Sequence, residues 1–486
     1  YLWLLHEHLV MLRQSVSPDQ RQPFKGLNLR DPAHELQSGE VLKLQNLYWD
    51  GFIRIAPGST LLTLFPLSAD QRVCGGFKFY SATPADTRRL IAYNESSVVT
   101  NIATVDNNGT ATTIFSFNSI GNDVFFSTWS ITDSVYISNA IDPLHYYSGA
   151  ANTGEVVGTN IPITYGPVVP LLDRLLAITA NGIERTNARV DDIWSANSSW
   201  ATFRPERPGR FVVLHPYSIT GVDAIYPGVL AFQQGAYYHI TGADFGTDVT
   251  SATASIGENS AIAIIDAQVG TSSPRSVVTI PGIGVVWFTS DKNVYWIPEG
   301  QLKGKYVGDH MFSNGTTQGL ESVNINALST VWMVYFDRKL ILGVPMGSST
   351  VVNTQFYLDL RTLSSHLDAP APVWYGPMTM DTWSCVWRED QQGELRLLAG
   401  EGKETTGAYV YEAYQKDKAS HFNGVLEVYP TCIYQDRHNR FGQGAQSKHV
   451  QDFRLTACIN EGELRAGVSD LNSDSIFLQG VVTYNE

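Results

Sequence analysis

A paired apolar run returns along this chain about every 40 to 65 residues, and no other feature of the sequence limits its fold so strongly. Seven copies are clear. They are Arg89-Leu-Ile-Ala-Tyr93 before Val98, Asp133-Ser-Val-Tyr-Ile-Ser138 before Leu144-His-Tyr-Tyr147, Arg174-Leu-Leu-Ala-Ile178 before Ile183-Glu-Arg185, and Val229-Leu-Ala-Phe232 before Tyr237-Tyr-His-Ile240. They continue as Val285-Val-Trp-Phe288 before Val294-Tyr-Trp-Ile297, Met333-Val-Tyr-Phe336 before Leu340-Ile-Leu342, and Leu395-Arg-Leu-Leu398 before Tyr409-Val-Tyr411. Each pair joins two β-branched or aromatic runs through a turn rich in Asn, Asp, Gly or Gln, which is the pattern of a two-stranded hairpin.

A small sheet cannot bury both of its faces alone, and packing several such sheets around an axis solves the problem for repeats of about 40–50 residues. The expectation is an all-β chain, a β-propeller of about six or seven blades. No WD dipeptide or kelch glycine pair recurs, so the blades have diverged from one another. Two facing β-sandwiches would also accommodate the many short strands.

With 486 residues the chain is long enough for a large core. Gly 41, Tyr 23, Phe 21 and Trp 11 supply turns and wide planar side chains suited to pleated surfaces. Charged residues make up only 16%, below the roughly 25% of ordinary soluble domains, so the surface is rich in uncharged polar groups. Such a surface suits a body largely covered by neighbours, and also a secreted carbohydrate binder. The net charge of −14 comes with no basic stripe, which argues against a protein that grips nucleic acid. An acidic wall is nonetheless compatible with a conduit, because it repels phosphates and prevents sticking.

Three zones follow. Residues 1–25 read as an N-terminal arm or short helix. Their apolar opening is interrupted by His6-Glu-His8, is too short to span a membrane, and lacks the basic start and small-residue cleavage site of a signal peptide. Residues 26–430 hold the propeller body with its leading strands. Residues 431–486 end in further strands, including Asp452-Phe-Arg-Leu-Thr-Ala-Cys458 and Ser475-Ile-Phe-Leu-Gln-Gly-Val-Val-Thr483, which are candidates to close the ring or dock on neighbours. Cys74, Cys385, Cys432 and Cys458 stand far apart, without the close ligand pairs of a zinc site. They read as buried free thiols, with a bridge between Cys432 and Cys458 as the alternative.

In the leading segment, Gly26-Leu-Asn28 is followed by Asp31-Pro-Ala-His-Glu-Leu36, Gly39-Glu-Val-Leu-Lys-Leu-Gln-Asn46, Asp50-Gly-Phe-Ile-Arg54 and Pro57-Gly58. This order resembles the opening of the tail nozzle, or tail tubular, proteins of short-tailed phages. Arg189-Val-Asp-Asp-Ile-Trp-Ser195 leading to Phe203 is similar to a strand that the family carries after its third hairpin. Val285-Val-Trp-Phe288 with Asn293-Val-Tyr-Trp-Ile297 is similar to a strand pair in mid-chain. The resemblance implies a structural virion protein: a propeller-containing subunit of a homohexameric ring below the portal and adaptor. Its partners would be copies of itself, portal or adaptor, and tail fibre proteins, with DNA passing during ejection without sequence recognition. It implies a place in the virion tail, after assembly in the host cytoplasm.

The residues themselves suggest roles. Gly26, Gly39, Gly51 and Gly58 suit turns that need positive φ, Pro57 sets the corner before Gly58, and Asn46 suits a bend where its side chain bonds backbone. Together they read either as an ordinary edge strand with turns or as a clamp on the ring or on an adjacent subunit. Thr289-Ser-Asp-Lys-Asn293-Val-Tyr-Trp296 resembles one Asp-box of the sialidase-like propellers, with Asn293 where that motif has Gly. It reads as a structural turn in which Asp291 caps backbone amides and Trp296 packs beneath.

Catalytic patterns are weak. Gly300-Gln-Leu-Lys-Gly304-Lys305 lacks the spacing and hydroxyl of a P-loop, and Gly282-Ile-Gly284 lacks the third glycine of a dinucleotide site. No nucleophile elbow or His-Glu-x-x-His occurs. Asn94, Asn108, Asn197 and Asn314 open glycosylation sequons that read as Asn-led turns. The expectation is a scaffold without catalytic, cofactor or metal residues. The runner-up is a carbohydrate-binding or sialidase-like glycoside hydrolase propeller, whose paired acids would be residues such as Asp191 and Asp223.

Overall fold

The computed structural model describes residues 25–31, 36, 40–49, 53–94, 99–106, 109–119, 123–149, 153–156, 158, 161–180, 182–194, 209–217, 219–220, 225–226, 228–242, 260–312, 319–363, 372–379, 383–391, 393–401 and 405–415. It also describes the strand segments 421–422, 427–428, 433–436, 464–469 and 475–480. The opening arm, Gly39, Gly51, Asp223, Cys432, Cys458, and the sequon asparagines 108, 197 and 314 lie outside the described residues.

Seven antiparallel sheets follow one another along the chain. Blade 1 is Val73–Phe79, Arg88–Asn94, Thr100–Val105 and Ala111–Phe117. Blade 2 is Phe125–Trp129, Ser134–Ser138, His145–Tyr147 and Thr153–Glu155. Blade 3 has three described strands, Val169–Leu171, Arg174–Thr179 and Gly182–Arg185. Blade 4 is Phe211–Pro216, Gly228–Gln233, Tyr237–Gly242 and Ser260–Asp266. Blade 5 is Val277–Ile280, Gly284–Phe288, Val294–Pro298 and Lys305–Tyr306. Blade 6 is Trp332–Phe336, Lys339–Val344, Thr354–Asp359 and Trp374–Met378. Blade 7 is Trp383–Gln391, Glu394–Glu401 and Thr405–Gln415, completed by Gly58–Gln71.

The blades form a closed ring. First strands of successive blades touch at most junctions, and the first strand of blade 7 packs on that of blade 1. Apolar clusters fill the gaps between blades 1 and 2, 2 and 3, 3 and 4, 4 and 5, and 7 and 1, while one larger cluster joins blades 5, 6 and 7. The chain is therefore a seven-bladed β-propeller, not a pair of sandwiches.

The ring explains why the sequence runs are continuously apolar. Strand side chains alternate between faces, and in a propeller both faces of a middle strand are covered. On Arg88–Asn94, Leu90 and Ala92 face blade 2, while Ile91 and Tyr93 face blade 7. On Gly228–Gln233, Val229 and Ala231 face blade 3, and Leu230 and Phe232 face blade 5. On Gly284–Phe288, Val285 and Trp287 face blade 4, while Val286 and Phe288 face blade 6. Full burial of each large side chain stabilises the ring by roughly 1.5–3 kcal/mol. Five of the seven sequence hairpins are the second and third strands of their blades; the copy at Met333 is the first and second, and the copy at Arg89 supplies a second strand while its Val98 lies outside the described residues.

Several expectations need correction. The last blade is completed by Gly58–Gln71, from the front of the chain, and not by the C-terminal strands. One C-terminal strand, Ile433–Asp436, pairs instead with Glu40–Gln45. Gly58 is the first residue of the closing strand instead of a positive-φ turn. The 189–195 segment is not a strand: through residue 194 it is a turn joined to blade 3 by an isolated bridge from Trp194 to Thr186. Asn94 is no turn residue either. It ends a strand, is buried, and accepts hydrogen bonds from Cys74 and Thr100.

Candidate functional site at the propeller axis

First strands converge on the axis, so the axis is where a propeller brings the most blades together. Here the cleft is about 240 Å³ and is lined by Gly75, Phe77, Phe126, Pro167, Trp332 and Val386, among others. Phe77 and Phe126 stack across it at 6.0 Å. Small residues let the blades approach: a Cβ on Gly75 would lie 2.5 Å from the Val124 carbonyl oxygen, and one on Gly76 would lie 2.4 Å from the Trp387 ring.

Arg275 lies across this centre. It leads into blade 5 on the short 3₁₀ turn Pro274–Ser276, and three buried hydroxyls fix that turn. Ser273 accepts from the Arg275 amide at 3.3 Å and donates to the Val331 carbonyl at 2.5 Å; the Ser276 hydroxyl donates to the Ser273 carbonyl at 2.9 Å and meets the Thr271 hydroxyl at 2.7 Å. From this base the Arg275 guanidinium donates Nη1 to the Ser384 carbonyl at 3.0 Å and to Asp123 at 3.2 Å. Its Nη2 donates to the carbonyls of Cys74 and Val124. The guanidinium also sits 5.4 Å from the centre of the Phe125 ring. One side chain of blade 5 thus binds blades 1, 2 and 7, using the fixed fork of donors that only arginine offers. Arg72 lies 3.5 Å from the same Asp123 carboxylate.

Chemically this centre is occupied by the protein's own hydrogen bonds. The nearby thiols of Cys74 and Cys385 are buried and free, and burial, which disfavours the thiolate, pushes Cys74 up to about 12 and Cys385 up as well. Among the described residues, no three His, Cys, Asp or Glu side chains are grouped to hold a metal ion.

The residues singled out in the sequence lie elsewhere. Gly26 has φ 89° and packs against Val373 and Trp374 of blade 6, where a Cβ would come within 2.7 Å. Its strand Gly26–Leu27 pairs in parallel with Glu40–Gln45, which borders Trp374–Met378 and so widens blade 6. Asn46 is fully buried at φ 56°. Its Oδ1 accepts from the Thr379 amide at 2.7 Å, and its Nδ2 donates to the Thr379 hydroxyl at 2.9 Å. Pro57 is buried directly before the closing strand. The leading segment is thereby fastened to blade 6 before it completes blade 7.

Asp291 and Trp296 belong to the second hairpin of blade 5. Asp291 accepts from the Thr289 hydroxyl and from Asn293 Nδ2 at 2.8 Å, so side chains donate to it where an Asp-box would use backbone amides. The Trp296 indole donates to the Ile283 carbonyl at 2.9 Å. Asp191 accepts from the Tyr136 hydroxyl at 2.7 Å. Arg275 was missed by sequence reasoning. Its only local signal is the hydroxyl-rich Thr271-Ser-Ser-Pro-Arg-Ser276, a turn pattern that does not reveal what the arginine reaches.

No protein-family model matches this chain, and no curated protein does. Solved structures are similar to this chain only at low identity. The WD40 β-propeller domain of Doa1 is 8% identical with a TM-score of 0.41, covering 73% of this chain and 97% of that one. YCF48 from Cyanidioschyzon merolae is 9% identical with a TM-score of 0.40, covering 74% and 100%. The computationally designed Ika8 protein is 11% identical with a TM-score of 0.36, covering 72% and 99%. The seven-bladed fold rests on this chain's own strand order and blade contacts.

Proposed function

We propose that this chain is a structural subunit of a short-tailed phage's tail, of the nozzle type, and not an enzyme. The observation that carries the proposal is Arg275, whose bonds beside the axial cleft are to other blades of the protein itself. A propeller enzyme of the sialidase-like class would need a pair of carboxyl groups free for substrate there. Among the described residues bonded to Arg275 the one carboxylate is Asp123, and it is committed to Arg275 and approached by Arg72. A guanidinium that ties four blades together stiffens the body, which suits a part that must resist pressure from packaged DNA.

The family-like leading segment also supports the reading, because it fastens to blade 6 and then completes blade 7. Since Arg275 crosses the axis of each propeller, DNA would travel through the opening enclosed by several copies. The net charge of −14 would keep that wall from holding phosphates. Six copies, contacts to portal or adaptor and to fibres, and a place in the virion tail follow from the resemblance. A closed ring requires head-to-tail interfaces whose rotation closes.

The test is the mass and shape of the full chain, alone and with its portal and adaptor, by sedimentation and electron microscopy. Rings of about six copies support the proposal. A monomer under both conditions, or glycoside turnover abolished by one acidic substitution, overturns it.

A further inference from the structure

A second cleft lies far from the axis, on blade 5 and the segment that follows it. Its volume is about 350 Å³, and Arg30, Asn293, Tyr295, Tyr306, Asp309 and Phe312 line it. Three aromatic rings stand in a row: Tyr295 and Tyr306 are 5.6 Å apart at 45°, and Tyr306 and Phe312 are 6.5 Å apart at 52°. Tyr295 is backed in turn by Trp287, 5.6 Å away and fully buried. The row is thus anchored in the core at one end, yet Tyr306 at its middle keeps 38% exposure.

Polar groups gather beside the rings. Arg30 bonds Asp309 and, through Nε, Asp31 at 3.0 Å. Arg30 and Asp309 side chains are 45% and 54% exposed, so both retain unused hydrogen-bonding capacity. Asn293 Nδ2 donates to Asp291, while its Oδ1 is buried and accepts no hydrogen bond. A buried acceptor without a donor costs stability unless something supplies one.

We propose that this cleft binds a neutral saccharide. A pyranose has a face of C–H groups with slight positive charge, which suits the negative face of an exposed aromatic ring, and hydroxyls that both donate and accept. Tyr306 offers the ring, and the exposed Asp309 and Arg30 offer an acceptor and a donor side by side for neighbouring hydroxyls. The charges select against anions: Asp31, Asp291 and Asp309 outnumber Arg30, so an acidic sugar or phosphate would meet net negative charge. A quaternary ammonium is the competing ligand, which a tetramethylammonium control addresses. The site is independent of the axis and does not rest on the tail-subunit reading.

Saturation-transfer NMR on the full chain tests it, with methyl α-glucopyranoside, methyl β-galactopyranoside and methyl α-rhamnopyranoside as probes and tetramethylammonium as the control. The expected result is transfer to the ring-face protons of at least one sugar, with Tyr306→Ala and Asp309→Ala each weakening the affinity about tenfold. Far-UV circular dichroism reports whether each variant folds, and Asp309→Ala, an exposed position, decides the matter if Tyr306→Ala does not. Absence of transfer to all three sugars, transfer unchanged by the folded variants, or stronger binding of tetramethylammonium overturns the proposal.

Discussion

Two junctions of the ring are built by different chemistry. Between blades 4 and 5, neighbours in sequence, the contact is aromatic and apolar, through Leu230, Phe232, Tyr237, Val285, Trp287 and Ile297, with Trp287 5.3 Å from Tyr237 and 5.5 Å from Phe232. Its polar bonds are uncharged: the Tyr237 hydroxyl donates to the Leu302 carbonyl at 3.0 Å and accepts from the Gly304 amide at 3.0 Å, and the Tyr217 hydroxyl donates to the Pro298 carbonyl at 3.3 Å. Between blades 7 and 1, about 300 residues apart in sequence, apolar contacts are joined by a buried ion pair. Arg89 Nε donates to Glu389 at 2.8 Å, its Nη2 makes a second bond to the same carboxylate, and the two side chains are 3% and 0% exposed. The Ser384 hydroxyl of blade 7 adds a bond to the Val73 carbonyl of blade 1. A short connection already delivers blade 5 to blade 4, so burial and a few uncharged hydrogen bonds are sufficient there, with no buried ion pair among the described residues. The closing junction must choose one partner among seven similar apolar faces, and directional bonds supply that choice at the cost of desolvating two charges.

The largest effect that would break this contrast comes from removing one member of the pair. Glu389→Leu leaves Arg89 buried and unpaired and is expected to cost about 3–5 kcal/mol, whereas the double variant Arg89→Met with Glu389→Leu should recover most of that loss. Urea unfolding followed by tryptophan fluorescence measures both. If the single variant loses less than about 1 kcal/mol, the pair does not hold the closure. If the double variant is stable but closes its ring less uniformly, with mixed species in native gels, the pair acts on choice of partner more than on stability.

The same contrast explains what could be read from the sequence. Middle strands such as 229–232 and 285–288 announce themselves because both faces are buried and the apolar run is unbroken. The outermost strand Ala111–Phe117 does not, since its side chains are mostly exposed and its residues are mainly Thr, Ser and Ala with a few aromatics. The closing strand Gly58–Gln71 could not be assigned a partner, because its mate Thr405–Gln415 lies more than 300 residues away and the pairing between them is broken by register shifts. Arg275 was invisible for a different reason: most of its partners are backbone carbonyls, which leave no mark on sequence. The leading segment was legible as turns and short strands, but nothing in it named blade 6 as the surface it grips.

A smaller effect is expected from overfilling the closing junction. Gly76→Ala places a Cβ against the Trp387 ring, a side chain 6% exposed and packed between blades, and should cost about 1–3 kcal/mol. The comparison is sharpened by Gly235→Ala, a turn glycine of blade 4 with no atom within 4 Å of its added Cβ. Equal losses at the two positions would mean that backbone conformation, not the close approach of blades 7 and 1, sets the cost.

The smallest effect separates the two junctions by pH. His239 of blade 4 is 5% exposed, its ring is 6.1 Å from that of Tyr217, which belongs to the 4/5 cluster, and its Nε2 has no hydrogen-bond partner. Burial holds its pKa below the ordinary value of 6.5, outweighing a backbone hydrogen bond at Tyr217 that acts the other way. The unfolded chain therefore takes up a proton that the native chain refuses. Stability on this account is complete above about pH 6.5 and falls as pH drops below it, by at most about 1.4 kcal/mol per pH unit for one proton. Urea midpoints between pH 7 and 5.5 should drop more steeply in the wild type than in His239→Phe. Parallel slopes would place the acid sensitivity elsewhere, first at His215, which meets the Thr279 hydroxyl of blade 5 and whose pKa burial lowers to about 4.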